Sequence, residues 1–289
     1  MDQRKYGYML VMPAIAILLA LNLFPLIYDI FLSLVNWQIR FAGSQPTFAG
    51  ASNFATVVTD PRFYNDVGVT LALIAVVVPV ENFLGLGLAM LLSRKIRGSR
   101  VIGSIIIMPL ALSSAVAGMI WSILLFCSFG PVDSILELLG IWRTCANPLW
   151  NYPIQSIMVA DIWQWTPFFF LIFLAGLSSL PREPLEAAQV DGASAYQTFR
   201  HVTLPMLAPV MGVGVILRMM DVFQTFGVPY ILTGGGPGVT SETIALYIYR
   251  AGLGFFNLTY AAALALVLLV VVSVLITLFV RIYPGGLAR

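Results

Sequence analysis

Six stretches of this chain are each apolar over a length that crosses the roughly 30 Å hydrocarbon core of a bilayer, which limits the fold more than any other feature. They lie at about residues 8–35, 67–92, 101–126, 154–177, 206–232 and 258–280. Inside lipid every backbone N–H and C=O must be satisfied by protein, so spans of this length are helices. The expected fold is an all-α integral membrane protein, a single six-helix transmembrane domain over residues 1–289. Only 10% of the residues are charged, against about a quarter in soluble domains, so no further soluble domain is expected. The first stretch is too long for the apolar core of a signal peptide and is expected to stay as an anchor.

Basic residues orient the bundle. Arg94, Lys95, Arg97 and Arg100 crowd one short connection, which marks it as cytoplasmic. With both termini on the same side, ten basic residues fall inside and four, Arg40, Arg62, Arg143 and Arg250, fall outside. The net charge of +2 carries no message about nucleic acid, and no such partner is expected.

Several chemistries are excluded by what the spans and loops lack. Neither lysine, Lys5 or Lys95, follows a glycine-rich run of the P-loop type, so any nucleotide must bind on a partner. His201 is the sole histidine and no ligand cluster surrounds it, so no metal site is expected. No nucleophile elbow or catalytic triad pattern appears, and the chain reads as a non-enzyme. Cys127 and Cys145 fall in one predicted outer loop, where a disulfide is chemically allowed; the absence of a framework pattern favours two unpaired thiols.

Ionisable and polar side chains inside spans are costly and point to a protein or water-lined face. Glu81 lies deep in the second span. Asp161, Trp163, Gln164 and Pro167 open the fourth, and Arg218, Asp221 and Gln224 share one helical face of the fifth, with Tyr230 further along. Glu81, Trp163, Gln164, Arg218, Asp221, Gln224 and Tyr230 are the candidate residues of a translocation path. Each also has a plainer reading: Trp163 with Pro167 as interfacial aromatic plus kink, and Arg218 with Asp221 as a structural ion pair.

Between the fourth and fifth spans lies a polar island, residues 179–205. Pro184 fits the first turn of a short helix, Glu186 complements the positive end of its dipole, and Asp191-Gly192 signals a turn. A second helical stretch is expected over Ala193–Thr203, leading to Leu204-Pro205 at the mouth of the fifth span, so that the whole reads as an elbow.

Glu186-Ala187-Ala188, Gly192 and Leu204-Pro205 resemble the EAA loop of permease subunits in binding-protein-dependent ABC importers. The run Phe223-Gln224-Thr225-Phe226, Tyr230 and Thr233-Gly234-Gly235-Gly236-Pro237 is similar to the MalF/UgpA-like branch that takes up carbohydrates. One departure is Asp133, three after Gly130, where much of that branch has an Asn directly after the glycine. The resemblance implies a type I ABC importer bundle in the bacterial inner membrane, with cytoplasmic termini and a cytoplasmic coupling helix. Glu186, Ala187, Ala188, Asp191, Gly192, Leu204 and Pro205 would then form the contact with ABC ATPase subunits, which bind the ATP and Mg; this chain itself would hold no cofactor. Further implied partners are a second homologous permease and an extracytoplasmic solute-binding protein. The solute would be a carbohydrate or related polyol-like compound. The alternative is a proton-coupled secondary transporter using Glu81, Asp161, Arg218 and Asp221 as a relay.

Overall fold

The computed structural model describes residues 3–38, 41, 43–93, 97–127, 130–140 and 147–283. Arg40, Arg94, Lys95, Arg143, Cys145 and Arg289 of the sequence reading lie outside them. In chain order the elements are α1 (Gln3–Ser33), β1 (Val35–Asn36), β2 (Thr47–Phe48), α2 (Ser52–Thr59), α3 (Pro61–Ser93), α4 (Ser99–Ile107), α5 (Ser114–Leu124) and α6 (Pro131–Leu138). There follow α7 (Pro148–Asn151), α8 (Pro153–Ser179), α9 (Glu183–Val190), α10 (Ala195–Thr198), α11 (Leu204–Phe223), α12 (Gly227–Leu232), α13 (Ile244–Tyr249) and α14 (Leu258–Ile282). Among the described residues five helices are long and apolar enough to span a membrane, and the bent pair of α4, with its single-turn extension to Ala111, and α5 makes a sixth if it is counted as one span.

The chain forms two compact units, Met1–Phe63 with Tyr247–Val271 and Tyr64–Leu246 with Val272–Arg289. In the first, α1 runs unbroken through Pro13 and Pro25. The expected polar loop after it contains the antiparallel β1–β2 pair, Val35 opposite Phe48, and α2. Asn53 staples the loop, its amide donating to the carbonyls of Ser33 and Val35 at 2.9 and 3.0 Å. Asp60 accepts hydrogen bonds from the hydroxyls of Tyr247 and, at 2.6 Å, Tyr260, and from the Arg62 N–H at 2.9 Å. Burial pushes the Asp60 carboxyl up, but those donors and the Arg62 charge together hold it below the usual carboxylate range.

The second unit is built on close helix crossings. A Cβ on Gly85 of α3 would lie 2.5 Å from the Phe169 Cβ and 2.8 Å from the Phe170 nitrogen of α8, so the two backbones meet where only glycine fits. Gly176 of α8 faces Leu207 and Val210 of α11, and Gly214 of α11 faces Phe169 in return. Phe169, Phe170 and Phe173 are fully buried in this seam. Gly85→Val is therefore expected to cost at least about 3 kcal/mol, an overpacking with no flexible side chain to give way, read as loss of monodisperse complex on size-exclusion chromatography. Wild-type yield and melting temperature for Gly85→Val would contradict the crossing.

Two of the expected spans are not single helices. The third, expected over about residues 101–126, bends by 101° between Ser99–Ala111 and Ser114–Leu124. Pro109 tightens the chain into a single turn of 3₁₀-helix, Leu112 is extended at ψ 145°, and the Ser113 hydroxyl caps the new helix by accepting from the Val116 N–H. The fifth, expected to run to about residue 232, stops at Phe223 and restarts as α12. The cause is Pro229: in a continuous helix its absent N–H would orphan the Thr225 carbonyl. With the helix broken, the Thr243 hydroxyl donates to that carbonyl at 2.9 Å. The two short helices bordering the breaks pack on each other, Gly227 lying against Ser114 and Gly118 against Ile231.

Cys127 is disulfide-bonded, so the sequence-level preference for unpaired thiols is corrected; the chain's other cysteine, Cys145, is outside the described residues.

Candidate functional site

Arg218 of α11 is 1% exposed and is the organising charge of the second unit. Its Nε and one terminal nitrogen donate to the two oxygens of Glu81 on α3 at 2.8 and 3.0 Å, a bidentate fork. The same terminal nitrogen donates to Asp161 of α8, and the other donates to Asp221 one turn further along α11. The Trp165 ring covers the guanidinium at 4.6 Å. Three spans are thus tied through one side chain. A guanidinium suits this because its planar fork meets Glu81 bidentately while its remaining N–H groups reach the other two carboxylates, a geometry that a compact ammonium does not offer.

Glu81 is fully buried in this cluster. Asp221 is different: its side chain is 39% exposed and borders a polar cavity of about 150 Å³ at the α11–α12 break. Asp161, Gln164, Trp165, Gln224, Thr225 and Phe226 complete most of its wall. The breaks expected to be continuous helix are what open it. Gln164 donates to the Leu112 carbonyl, freed by the bend in the third span, at 2.9 Å, and its own carbonyl oxygen is buried without a hydrogen-bond partner.

The expected path residues therefore divide. Asp221, Gln224 and Gln164 come together at the polar cavity. Trp163 does not: it meets Trp121 edge-on at 6.1 Å and lines a separate, largely apolar cavity of about 470 Å³ with residues of α3 and α4. Trp165, two residues on, faces the polar cavity instead, because two residues turn a helical side chain by about half a turn, onto the opposite face of α8. Tyr230 is 43% exposed and stacks on Phe226 at 5.1 Å. Thr225 and Phe226, which the sequence offers only as part of the family motif, and Trp165, within an aromatic run, join the cavity wall because the helix breaks beside them. Asp161, flagged only as a relay candidate, sits at the junction of the charge cluster and the cavity wall.

The polar island folds as an elbow. Pro184 lies in the first turn of α9 and Glu183 joins Glu186 there. The helix closes by a Schellman pattern: the Gly192 N–H donates to the Gln189 carbonyl at 3.1 Å and the Ala193 N–H to the Ala188 carbonyl at 2.9 Å. Gly192 has φ +76°, and nothing lies within 4 Å of where its Cβ would be, so glycine is required there by backbone conformation alone. Ser194 and Gln197 then form a reciprocal capping box that starts α10.

Pro205 leads from the elbow into the fifth span without a break. The chain continues helically from Ala195 to Phe223 through a π-helical turn at Phe199–Thr203, where the Leu204 N–H reaches back to the Phe199 carbonyl. The wide turn accommodates a proline that cannot donate. One arm of the elbow is consequently the same helix that carries Arg218 and Asp221. No side chain of α9 is buried; Glu186, Ala187, Asp191 and Gly192 are exposed, Ala188 and Leu204 half-buried, and Val190 is 87% exposed.

Residues 81–284 match the model of a family described as the binding-protein-dependent transport system inner membrane component. Over 99% of its length the chain is 33% identical to the trehalose/maltose transport system permease protein MalF of Thermococcus litoralis, of which it covers 96%. It is 32% identical to the sulfoquinovosyl glycerol transport system permease protein SmoG of Agrobacterium fabrum, over 98% of this chain and 91% of that one. Among solved structures, a chain of a bacterial alginate ABC transporter in complex with an alginate pentasaccharide-bound periplasmic protein superposes with a TM-score of 0.80 at 23% identity, covering 98% of this chain and 96% of that one. A chain of the MetNI methionine ABC transporter superposes with a TM-score of 0.56 at 19% identity, over 79% of this chain and 97% of that one. Both likenesses are of fold.

Proposed function

Because the chain belongs to the family of binding-protein-dependent transport system inner membrane components, we propose that it forms, with a second homologous permease, the path by which an ATP-driven importer admits a carbohydrate or related polyol-like solute. It is a multi-pass membrane protein and a transport subunit, not an enzyme. ATP and Mg bind on separate ATPase subunits, and a solute-binding protein delivers the cargo from outside. Both termini and the elbow face the cytoplasm, in keeping with the excess of basic residues on that side.

The observation that carries the solute class is the polar cavity at the α11–α12 break. Asp161, Asp221, Gln164 and Gln224 supply several hydrogen-bonding groups beside the Trp165 and Phe226 rings. Hydroxyl-rich rings pair with such groups through their rims and with aromatic planes through their faces. Relatives named for trehalose, maltose and sulfoquinovosyl glycerol uptake support the same reading.

Coupling follows from covalent continuity. Glu186, Ala187, Ala188, Asp191 and Gly192 present an exposed elbow to the ATPase, with Leu204 and Pro205 at its root, and that elbow continues as the helix bearing Asp221. Closure of the ATPase pair moves the elbow as a rigid body and rocks α11 with it, exchanging inward for outward access.

The test is uptake into vesicles holding the assembled importer, its binding protein and ATP. Gln224→Ala and Asp221→Asn are expected to raise the half-saturating solute concentration about fivefold to thirtyfold, each removing about 1–2 kcal/mol of hydrogen bonding, while basal ATPase activity persists. Uptake that continues after ATP depletion and collapses with the proton gradient would instead favour the proton-coupled alternative.

A further inference from the structure

The first unit holds a cavity of about 290 Å³ that plays no part in the path described above. Asn36, Trp37, Gln38 and Phe41 line it from the segment after α1, and Phe255, Phe256 and Asn257 from the turn before α14. None of these seven side chains is charged, three are amides and four are aromatic.

The aromatic walls are held in place by the backbone around them. The Trp37 indole N–H donates to the Ser44 carbonyl at 3.0 Å, which sets the ring plane and leaves its face for contact. Ser44 in turn donates from its hydroxyl to the Gln38 carbonyl at 2.6 Å. Phe256 sits at φ +57°, a conformation that a bulky side chain rarely adopts. The turn that keeps it there is pinned by the Phe255 N–H on the Arg250 carbonyl at 2.7 Å and the Asn257 N–H on the Ala251 carbonyl at 2.9 Å. A glycine would relax this turn, yet the position places an aromatic ring on the cavity rim, and Phe41, Phe255 and Phe256 are 65%, 57% and 51% exposed.

The amides are likewise specified. Asn257 accepts at its oxygen from the Tyr260 N–H and the Thr259 hydroxyl, at 3.2 and 3.1 Å, so its NH₂ group is what remains to donate. Asn36 and Gln38 are exposed at the rim and each offers both a donor and an acceptor.

We propose that this cavity is a second carbohydrate subsite, on the extracytoplasmic side, which holds one neutral sugar ring before the ring enters the membrane path. Aromatic faces cover the apolar C–H face of the ring and the amides bond its hydroxyls. A lipid headgroup is a poor occupant, because phosphate recognition calls for basic groups and none of the described residues lining the cavity is basic. The proposal rests on the carbohydrate reading and on the topology given above.

The experiment uses the assembled importer in nanodiscs, with methyl α-glucoside and maltose as probes in saturation-transfer NMR, alongside uptake assays. The variants are Gln38→Ala combined with Phe255→Ala, both exposed side chains, and separately Gln224→Ala at the inner cavity. The outer pair is expected to weaken probe binding and to raise the half-saturating concentration for uptake about threefold to tenfold, with uptake at saturation and basal ATPase unchanged. Probe binding untouched by the outer pair but lost in Gln224→Ala would overturn the subsite and leave the carbohydrate reading standing. Sugar binding unchanged in the outer pair while binding-protein stimulation of the ATPase falls would assign the surface to protein docking and overturn it too. If the wild type neither binds nor imports any neutral sugar, the carbohydrate reading fails first and the subsite with it.

Discussion

Arg218→Met is expected to abolish assembly of the importer, with no folded complex recovered from membranes and no uptake. The substitution keeps the apolar stem but removes every donor that Glu81, Asp161 and Asp221 share. Breaking a buried ion pair from one side typically costs about 3–5 kcal/mol, and here three carboxylates lose their common partner. That is comparable with the whole folding stability of many domains. Combining Arg218→Met with Glu81→Met should recover part of the yield, since the fully buried carboxylate goes with its partner, whereas Arg218→Lys should not, because one ammonium cannot reproduce the fork. Yield, thermal melting and uptake for the single variant at wild-type levels would show that the cluster is dispensable.

Gly192→Val is expected to reduce ATP-driven uptake at least tenfold. The left-handed conformation at this residue costs about 1–2 kcal/mol for an ordinary L-residue and more for a β-branched one, and the Schellman closure of α9 depends on it. The elbow then loses its fixed angle while the spans, which do not rest on it, still fold. A graded series is expected, with Gly192→Asn mildest, because asparagine tolerates the conformation, Gly192→Ala intermediate and Gly192→Val most severe. The measurement is uptake alongside ATPase activity in vesicles containing the assembled complex: ATP should still be hydrolysed while transport falls. Because no atom lies near the position of the missing Cβ, a steric explanation would predict no effect at all, so an identical rate across the series would refute the conformational argument.

Much of this was legible in residue order, for a definite reason. Burial in lipid leaves one backbone solution per span, so the apolar stretches from Pro153 to Ser179 and from Leu258 to Ile282 announce their helices directly. The elbow was legible because its determinants are local: a proline in the first turn of α9 and a glycine at its end act within a few residues of one another, whereas the Ser194–Gln197 box that starts α10 came only with the structure. The helix ends hidden by hydrophobicity were not. Pro109 and Pro229 lie in stretches as apolar as their neighbours, and a proline inside a transmembrane helix is tolerated whenever another group takes the orphaned carbonyl. Pro13 and Pro25 are carried within an unbroken α1, whereas at Pro229 the chain breaks and Thr243 supplies the donor.

What the sequence by itself determined is therefore the membrane class, the elbow and the presence of costly charges within the spans. Three-dimensional packing decided what those charges do. The pairing of Arg218 with Asp221 follows from helical spacing, but its joining to Glu81 and Asp161 needs α3, α8 and α11 to converge, which they do through the glycine seam at Gly85, Gly176 and Gly214. The same convergence assigns Trp165, not Trp163, to the polar cavity, since the two rings lie on opposite faces of α8 and the setting of that helix selects which one faces it. Residue order records which side chains a helix carries; the azimuth at which that helix meets its neighbours exists only once the backbones have closed on one another.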